Sequence, residues 1–108
     1  MRIYIDSTDN KITIIRIADR EYTRNVESPR DQDVLGFLVH CLDKENIRPE
    51  DIDDIEVNPG PGSFTGTRVG VAIANVLSYA LDIKVNGSFT SVEPLYSSPP
   101  SITQKKKS

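Results

Sequence analysis

A turn rich in glycine and hydroxyl side chains is the part of the sequence whose residue types most directly suggest chemistry. It reads Gly60-Pro61-Gly62-Ser63-Phe64-Thr65-Gly66-Thr67 and comes directly before a long, almost uncharged helical run. The first turn of a helix carries unpaired backbone N–H groups and a partial positive charge, so an anion could be held there. The candidates for that role are Gly60, Gly62, Ser63 and Thr65. No Gly-Lys-Ser/Thr follows, and glycines before a helix more often serve backbone geometry, so we favour a structural role and keep anion binding as its alternative.

A second polar group follows the first apolar residues of the chain. Asp6, Ser7 and Thr8 could face the phosphates and metal of a nucleotide, but an Asx-type turn explains them equally well. Ser63 does not lie in a Gly-x-Ser-x-Gly elbow, and His40 is the only histidine that could serve as its base, so we discard serine hydrolysis. His40 has no companion at metal-ligand spacing. We therefore predict no catalytic residue, no metal site and no cofactor.

Composition narrows the class of protein. The chain has 108 residues, 37% of them hydrophobic, and a net charge of -3, which gives no electrostatic reason to expect direct binding to nucleic acid or membrane. Cys41 is the only cysteine, so neither a disulfide framework nor a thiolate metal site is indicated. A carboxylate appears at Asp6, which leaves no apolar signal core, and no uncharged run approaches the ~20 residues that span a bilayer. We expect a cytoplasmic protein without membrane contact.

The elements that must position these groups follow from hydrophobic patterning. Residues 3–5, 11–17 and 20–26 are predicted to form a three-stranded meander, 33–45 a helix, 55–57 a strand, 67–81 a second helix and 83–87 a last strand. A further helix is predicted to start in 88–96, capped by Thr90 or Ser91. The early strands should be antiparallel, and the strands containing Ile3, Ile55 and Val85 parallel through helical crossovers. This order predicts an α/β fold with a mixed five-stranded sheet and covering helices.

Both predicted helices offer more packing surface than one contact requires. The apolar arc over 33–45 spans about 200° of a helical wheel, roughly twice the ~100° needed for one core contact. It is either deeply buried or divided between the chain's own sheet and another chain. In the second helix, Val69, Ile73, Val76, Leu77 and Ala80 form the predicted core face, while small residues recur every four positions and leave a smooth ridge. The residues that we predict to meet another chain are Val34, Phe37, Leu38, Cys41, Gly66, Gly70, Ala74 and Ser78.

The glycine turn also carries a family resemblance. Gly60-Pro61-Gly62-Ser63-Phe64-Thr65-Gly66-Thr67-Arg68-Val69-Gly70-Val71-Ala72 resembles the signature of the TsaB (YeaZ) proteins. Ile3-Tyr4-Ile5-Asp6-Ser7-Thr8 resembles their opening strand and turn, and the similarity continues to about residue 95. The resemblance implies the first lobe of an actin-like (ASKHA, ribonuclease-H-like) ATPase fold, with the lobe over 1–96 and a flexible polar tail over 97–108.

The function implied by the resemblance is that of a scaffold. Proteins of this family act as non-catalytic partners in the modification that places threonylcarbamoyl on an adenosine of tRNA, and they pair through helices of this lobe. The implied partners are the catalytic threonylcarbamoyl-transferase subunit and the small ATPase of the same complex, with homodimers when the chain is alone and tRNA contacted only indirectly. The chain lacks the family's second lobe and ends in Lys105-Lys106-Lys107-Ser108, and a nucleotide cleft needs two walls. Two alternatives stay open, namely a phosphate- or nucleotide-binding fragment and a homodimer whose ancestral role is lost.

Overall fold

The computed structural model describes residues 1–28 and 32–95. Its strands are β1 (Arg2–Asp9), β2 (Ile12–Ile17), β3 (Arg20–Asn25), β4 (Asp54–Val57) and β5 (Lys84–Val85). Its helices are α1 (Val34–Lys44) and α2 (Phe64–Leu81), and a short 3₁₀ helix spans Pro49–Asp51. The predicted boundary at residue 96 and the predicted tail over 97–108 lie outside the described residues.

The strands form one mixed sheet in the order β3-β2-β1-β4-β5. β1 pairs antiparallel with β2, and β2 antiparallel with β3. β1 pairs parallel with β4 in a register that sets Ile3 beside Ile55, and β4 pairs parallel with β5, with Ile55 beside Val85. The predicted meander and the predicted parallel pairing through helical crossovers are therefore both confirmed.

The hydrophobic core lies on one face of this sheet, beneath the two helices. Alternate strand residues such as Ile3, Ile5, Ile15 and Ile17 are buried there, because side chains point to opposite faces every second residue. α2 lies along β1 and β4, and α1 packs on β2. The opposite face carries polar and charged side chains, including Arg16, whose guanidinium lies 4.9 Å from the ring centroid of Tyr4.

The side-chain amide of Asn86 continues the hydrogen bonding of the sheet where its shortest strand ends. β5 has only two residues, but the backbone N–H of Asn86 still donates to the carbonyl of Ile55. Beyond that point the Asn86 side chain takes over: its Oδ1 accepts from the N–H of Val57 at 2.8 Å, and its Nδ2 donates to the Val57 carbonyl at 3.0 Å. One amide thus replaces the next residue of the strand.

One predicted helix start and one predicted helix are wrong. α2 begins at Phe64, three residues before the predicted start, because Ser63 caps the helix by accepting from the N–H of Gly66. The segment from Ser88 to Leu95 is not helical. Pro94 has no N–H and disfavours a helical Glu93, and the Asn75 amide holds the backbone of Val92 through two hydrogen bonds of 2.9 and 3.0 Å.

Candidate functional site

The glycine turn lies between β4 and α2 and presses closely on the end of β1. A Cβ placed on Gly62 would stand 2.5 Å from the Cβ and 2.6 Å from the carbonyl oxygen of Thr8, and the N–H of Ser63 donates to that oxygen at 2.7 Å. Gly60 has a φ of 99°, and its Cβ position lies 2.1 Å from the carbonyl oxygen of Leu95. A side chain at either glycine would collide with backbone. Both glycines therefore serve close packing.

The two hydroxyl candidates of the turn differ in what they contact. The Ser63 hydroxyl accepts from the N–H of Gly66 at 3.2 Å and so acts as the cap of α2. Thr65 is exposed and lines a cavity of about 420 Å³ that also touches Asn10, Gln32 and Ser63. Anion binding by Gly60, Gly62, Ser63 and Thr65 stays a prediction.

The hairpin residues Asp6, Ser7 and Thr8 lie next to the glycine turn and the start of α2. The Ser7 hydroxyl is buried and donates to the carbonyl of Gly66 at 2.6 Å. The Asp6 carboxylate accepts from the N–H of Thr8 at 3.0 Å, from its hydroxyl at 2.7 Å and from Asn58 Nδ2 at 3.2 Å. Partial burial opposes the charged form of Asp6, but these hydrogen bonds outweigh it and lower the pKa of the carboxyl group. The Asx-type turn is what the structure contains.

The small-residue ridge of α2 faces the chain's own sheet. A Cβ on Gly66 would stand 2.3 Å from the carbonyl oxygen of Ser7, and one on Gly70 would stand 2.3 Å from the Ser7 hydroxyl oxygen. Ala74 is fully buried, and Ser78 is buried with its hydroxyl donating to the carbonyl of Ile83. The ridge lets the helix approach β1 more closely than larger side chains would allow.

The structure shows where the residues predicted for a contact with another chain lie. The eight residues predicted for it are all buried in the chain's own core: Val34, Phe37, Leu38, Cys41, Gly66, Gly70, Ala74 and Ser78. A helical wheel shows that a face is smooth or apolar, but not which neighbour covers it, and the nearest available neighbour is the sheet. Pairing of a helix face with another chain stays a prediction.

The apolar side chains that remain uncovered form a continuous surface where α1 and α2 lie side by side. Leu35 is 52% exposed, Val39 49% and Val76 65%. Together with residues of α2 they line or flank a shallow, wholly apolar cavity of about 220 Å³. We call this surface the apolar strip: Leu35, Val39, Ala72, Ile73, Val76 and Leu77. Ile73 and Leu77 also pack partly against the core, as the sequence predicts, whereas Val76, assigned to the same face, is exposed.

The remaining candidate residues offer little chemistry. Cys41 is fully buried, and this burial raises the pKa of its thiol to about 11, so the reactive thiolate is scarce at neutral pH. Exposed His40 lines a groove with Thr23, Arg24 and Phe37. Among the residues that the structure describes, no three His, Cys, Asp or Glu side chains gather closely enough to hold a metal ion. Neither described helix has the length and hydropathy needed to cross a bilayer.

Comparison with known proteins finds similar sequences in other organisms. Residues 31–88 match the family model described as TsaD: tRNA N6-adenosine threonylcarbamoyltransferase. The chain is 30% identical over 100 residues to the tRNA threonylcarbamoyladenosine biosynthesis protein TsaB of Bacillus subtilis (strain 168), which covers 78% of this chain and 43% of that protein. It is 34% identical over 71 residues to the tRNA N6-adenosine threonylcarbamoyltransferase of Clostridioides difficile (strain 630), with 66% of this chain and 19% of that protein covered.

A solved structure extends the comparison to the fold. YeaZ from Pseudomonas aeruginosa superposes with a TM-score of 0.64 at 22% identity, covering 78% of this chain and 40% of that one. The likeness confirms the predicted fold class, a single actin-like ATPase lobe with a mixed five-stranded sheet. The chain spans less than half the length of each of these three relatives.

Proposed function

Because the chain belongs to the family that includes TsaB (YeaZ) and the TsaD transferases, we propose that it is a non-catalytic partner subunit in the biosynthesis of threonylcarbamoyladenosine in tRNA. Its role is to pair with the catalytic threonylcarbamoyl-transferase through the helices of this lobe, in the cytoplasm. The small ATPase of the same machinery joins the assembly, and tRNA is contacted only indirectly. No cofactor of its own is required for this role.

The observation that carries the proposal is the apolar strip. Aliphatic side chains at half exposure or more are unusual when they lie together, and such patches mark sites of protein contact. Fully burying one Val, Leu or Ile side chain is worth roughly 1.5–3 kcal/mol, so covering the strip offers on the order of 5 kcal/mol. Association costs about 4–15 kcal/mol in lost freedom. A partner that brings a matching apolar helical face of its own is therefore needed for stable pairing.

The glycine turn and the hairpin support a scaffold for a second reason. The polar groups there are largely occupied within the chain: Ser63 caps α2, Ser7 binds the Gly66 carbonyl, and Asp6 accepts three hydrogen bonds from Thr8 and Asn58. A nucleotide would have to displace these contacts before binding there. This favours contribution of surface over contribution of chemistry.

Co-purification tests the proposal. The chain is co-expressed with the TsaD-type transferase encoded in the same genome, and the complex is measured by size-exclusion chromatography at micromolar concentration. We expect Val39→Glu to abolish the complex because it places a charge on the apolar strip. The matched control is His40→Glu, the neighbouring exposed residue on the polar side of α1, which should leave pairing intact. No complex with the unmodified chain, or equal loss with both variants, contradicts the proposal.

The two alternatives make different predictions in the same samples. Self-association through the apolar strip gives a dimer by sedimentation that Val39→Glu converts to monomer, with no transferase bound. A nucleotide-binding fragment gives heat with ATP and magnesium at millimolar concentration in calorimetry, and Thr65→Val should reduce it. We expect pairing with the transferase to dominate and no ATP heat to be detected.

A further inference from the structure

A cavity beneath the segment that follows β5 is separate from both the glycine turn and the apolar strip. It measures about 520 Å³ and lies between the C-terminal half of α2 and the stretch from Val85 to Ser91. The Asn75 side chain holds that stretch beside the helix: its Nδ2 donates to the Val92 carbonyl, and its Oδ1 accepts from the Val92 N–H. The lining residues are Asn75, Ser78, Tyr79, Asp82, Val85, Phe89 and Ser91.

The polar groups that line this cavity divide into occupied and available ones. Asn75 is engaged with Val92, and the Ser78 hydroxyl donates to the carbonyl of Ile83. Within residues 1–28 and 32–95, the carboxylate of Asp82 and the hydroxyls of Tyr79 and Ser91 make no hydrogen bond or ion pair. Three polar groups, with four acceptor oxygen atoms between them, thus line one space.

The electrostatics of this space favour a cation. Asp82 is the C-terminal cap of α2, where the helix carries partial negative charge, and the last turn of α2 contains no basic residue. The carboxylate adds a full negative charge at the same end. An anion such as a phosphate is disfavoured here for the same reason.

The walls of the cavity add an aromatic component. Tyr79 is 90% exposed and Phe89 65% exposed, although large aromatic side chains gain most from burial. The Nζ of Lys84 lies 5.7 Å from the centroid of Phe89, so that ring already contacts a cation and Tyr79 is the ring left for a second one. A planar cation could stack on Tyr79 while donating to the carboxylate.

We propose that this cavity is a docking site for an arginine side chain presented by a protein partner. A guanidinium is planar, has five N–H donors and no acceptor, and binds a carboxylate through two parallel hydrogen bonds. It therefore matches Asp82 and the two hydroxyl oxygens while stacking on Tyr79. The proposal stands on this cavity alone and does not depend on pairing with a transferase.

Titration with short peptides tests the proposal by nuclear magnetic resonance on the ¹⁵N-labelled chain. The probe is acetyl-Gly-Arg-Gly-amide, and we expect saturable shifts of the amide signals of Tyr79, Asp82, Phe89 and Ser91, with a dissociation constant on the order of millimolar. The citrulline peptide, which is nearly isosteric but uncharged, should bind about tenfold more weakly or not at all. The lysine peptide should also bind more weakly, because an ammonium group cannot form the planar double hydrogen bond.

Variants locate the site. Asp82→Asn should weaken binding of the arginine peptide about tenfold. It should fold normally, because Asn tolerates the left-handed backbone conformation at this position, where φ is 55°. Tyr79→Ala should weaken binding as well, while Asp43→Asn, at an exposed aspartate near the end of α1, should leave it unchanged. The proposal is overturned by absent saturation at tens of millimolar, by equal binding of the citrulline or lysine peptide, or by an unaltered affinity in Asp82→Asn.

Discussion

The glycine turn with its hairpin and the apolar strip differ in how many of their groups already make contacts within the chain. At the turn, Gly62 and Gly66 have no space for a Cβ, and the hydroxyls of Ser7 and Ser63 bind inside the chain. On the strip, Leu35 and Val76 face solvent. The conspicuous motif therefore holds the lobe together, while a plain aliphatic surface is the part left available for binding.

The sharpest test of this contrast uses two adjacent residues at the start of α1. Val34 is 1% exposed, so Val34→Asp buries an unpaired carboxylate and should destabilise the chain by about 3–5 kcal/mol. Leu35→Asp should change the free energy of unfolding by no more than about 0.5 kcal/mol while abolishing pairing with the transferase. Urea unfolding and co-purification measure the two effects. A Leu35→Asp chain that unfolds, or that still pairs, would show that the strip is not a separate binding surface.

The packing role of the glycines is tested by Gly66→Ala. The new methyl group meets the Ser7 carbonyl oxygen, which belongs to the backbone and cannot rotate away, so we expect a loss of about 3 kcal/mol. The matched control is Gly87→Ala, where no atom of the described residues lies within 4 Å of the new Cβ and the φ of 80° is unfavourable. That control should cost about 1 kcal/mol. Equal losses by chemical denaturation would mean that backbone conformation, not close packing, accounts for the glycine at position 66.

Two buried hydroxyl groups near the glycine turn should differ in what they contribute to stability. Ser7→Ala removes a hydroxyl that donates to the Gly66 carbonyl and should destabilise the chain by about 1–2 kcal/mol. The Thr67 hydroxyl is buried and has no hydrogen-bond partner among the described residues, so Thr67→Val should be neutral or stabilising by up to about 1 kcal/mol. Thermal unfolding of both variants at one pH provides the comparison. A clear loss of stability in Thr67→Val would contradict it.

The smallest expected effect is a pH dependence that belongs to the hairpin. The pKa of Asp6 is lowered in the folded chain, so its contribution to stability is present above the ordinary aspartate pKa of about 3.9 and is lost as pH falls through the folded value. Asp6→Asn should therefore flatten part of the loss of stability below about pH 4. Asp43→Asn serves as the control. Parallel acid-unfolding curves for the unmodified chain and Asp6→Asn would show that Asp6 does not contribute to the pH dependence of stability.

The strands and the sense of their pairing were predictable from the sequence, whereas the orientation of the helix faces was not. β-Branched runs around Ile3, Ile15 and Ile55 specify strands locally, and handed crossovers then leave few arrangements. On a helical wheel, the small-residue ridge from Gly66 to Ser78 is compatible with packing on a sheet or on a second helix. Which of the two it contacts can be seen only in the three-dimensional structure. The predicted helix near residue 90 failed because Asn75, 17 positions earlier, binds the backbone of Val92. Interactions across that distance leave no periodic signal.

The amide of Asn86 has a consequence for how the lobe behaves in a crowded solution. Where β5 ends, the outward N–H and carbonyl of Val57 are already bonded to that amide, so an incoming strand finds neither a donor nor an acceptor there. Open strand borders are templates for edge-to-edge aggregation. The Asn86 side chain thus blocks strand pairing with another molecule at this point of the sheet edge.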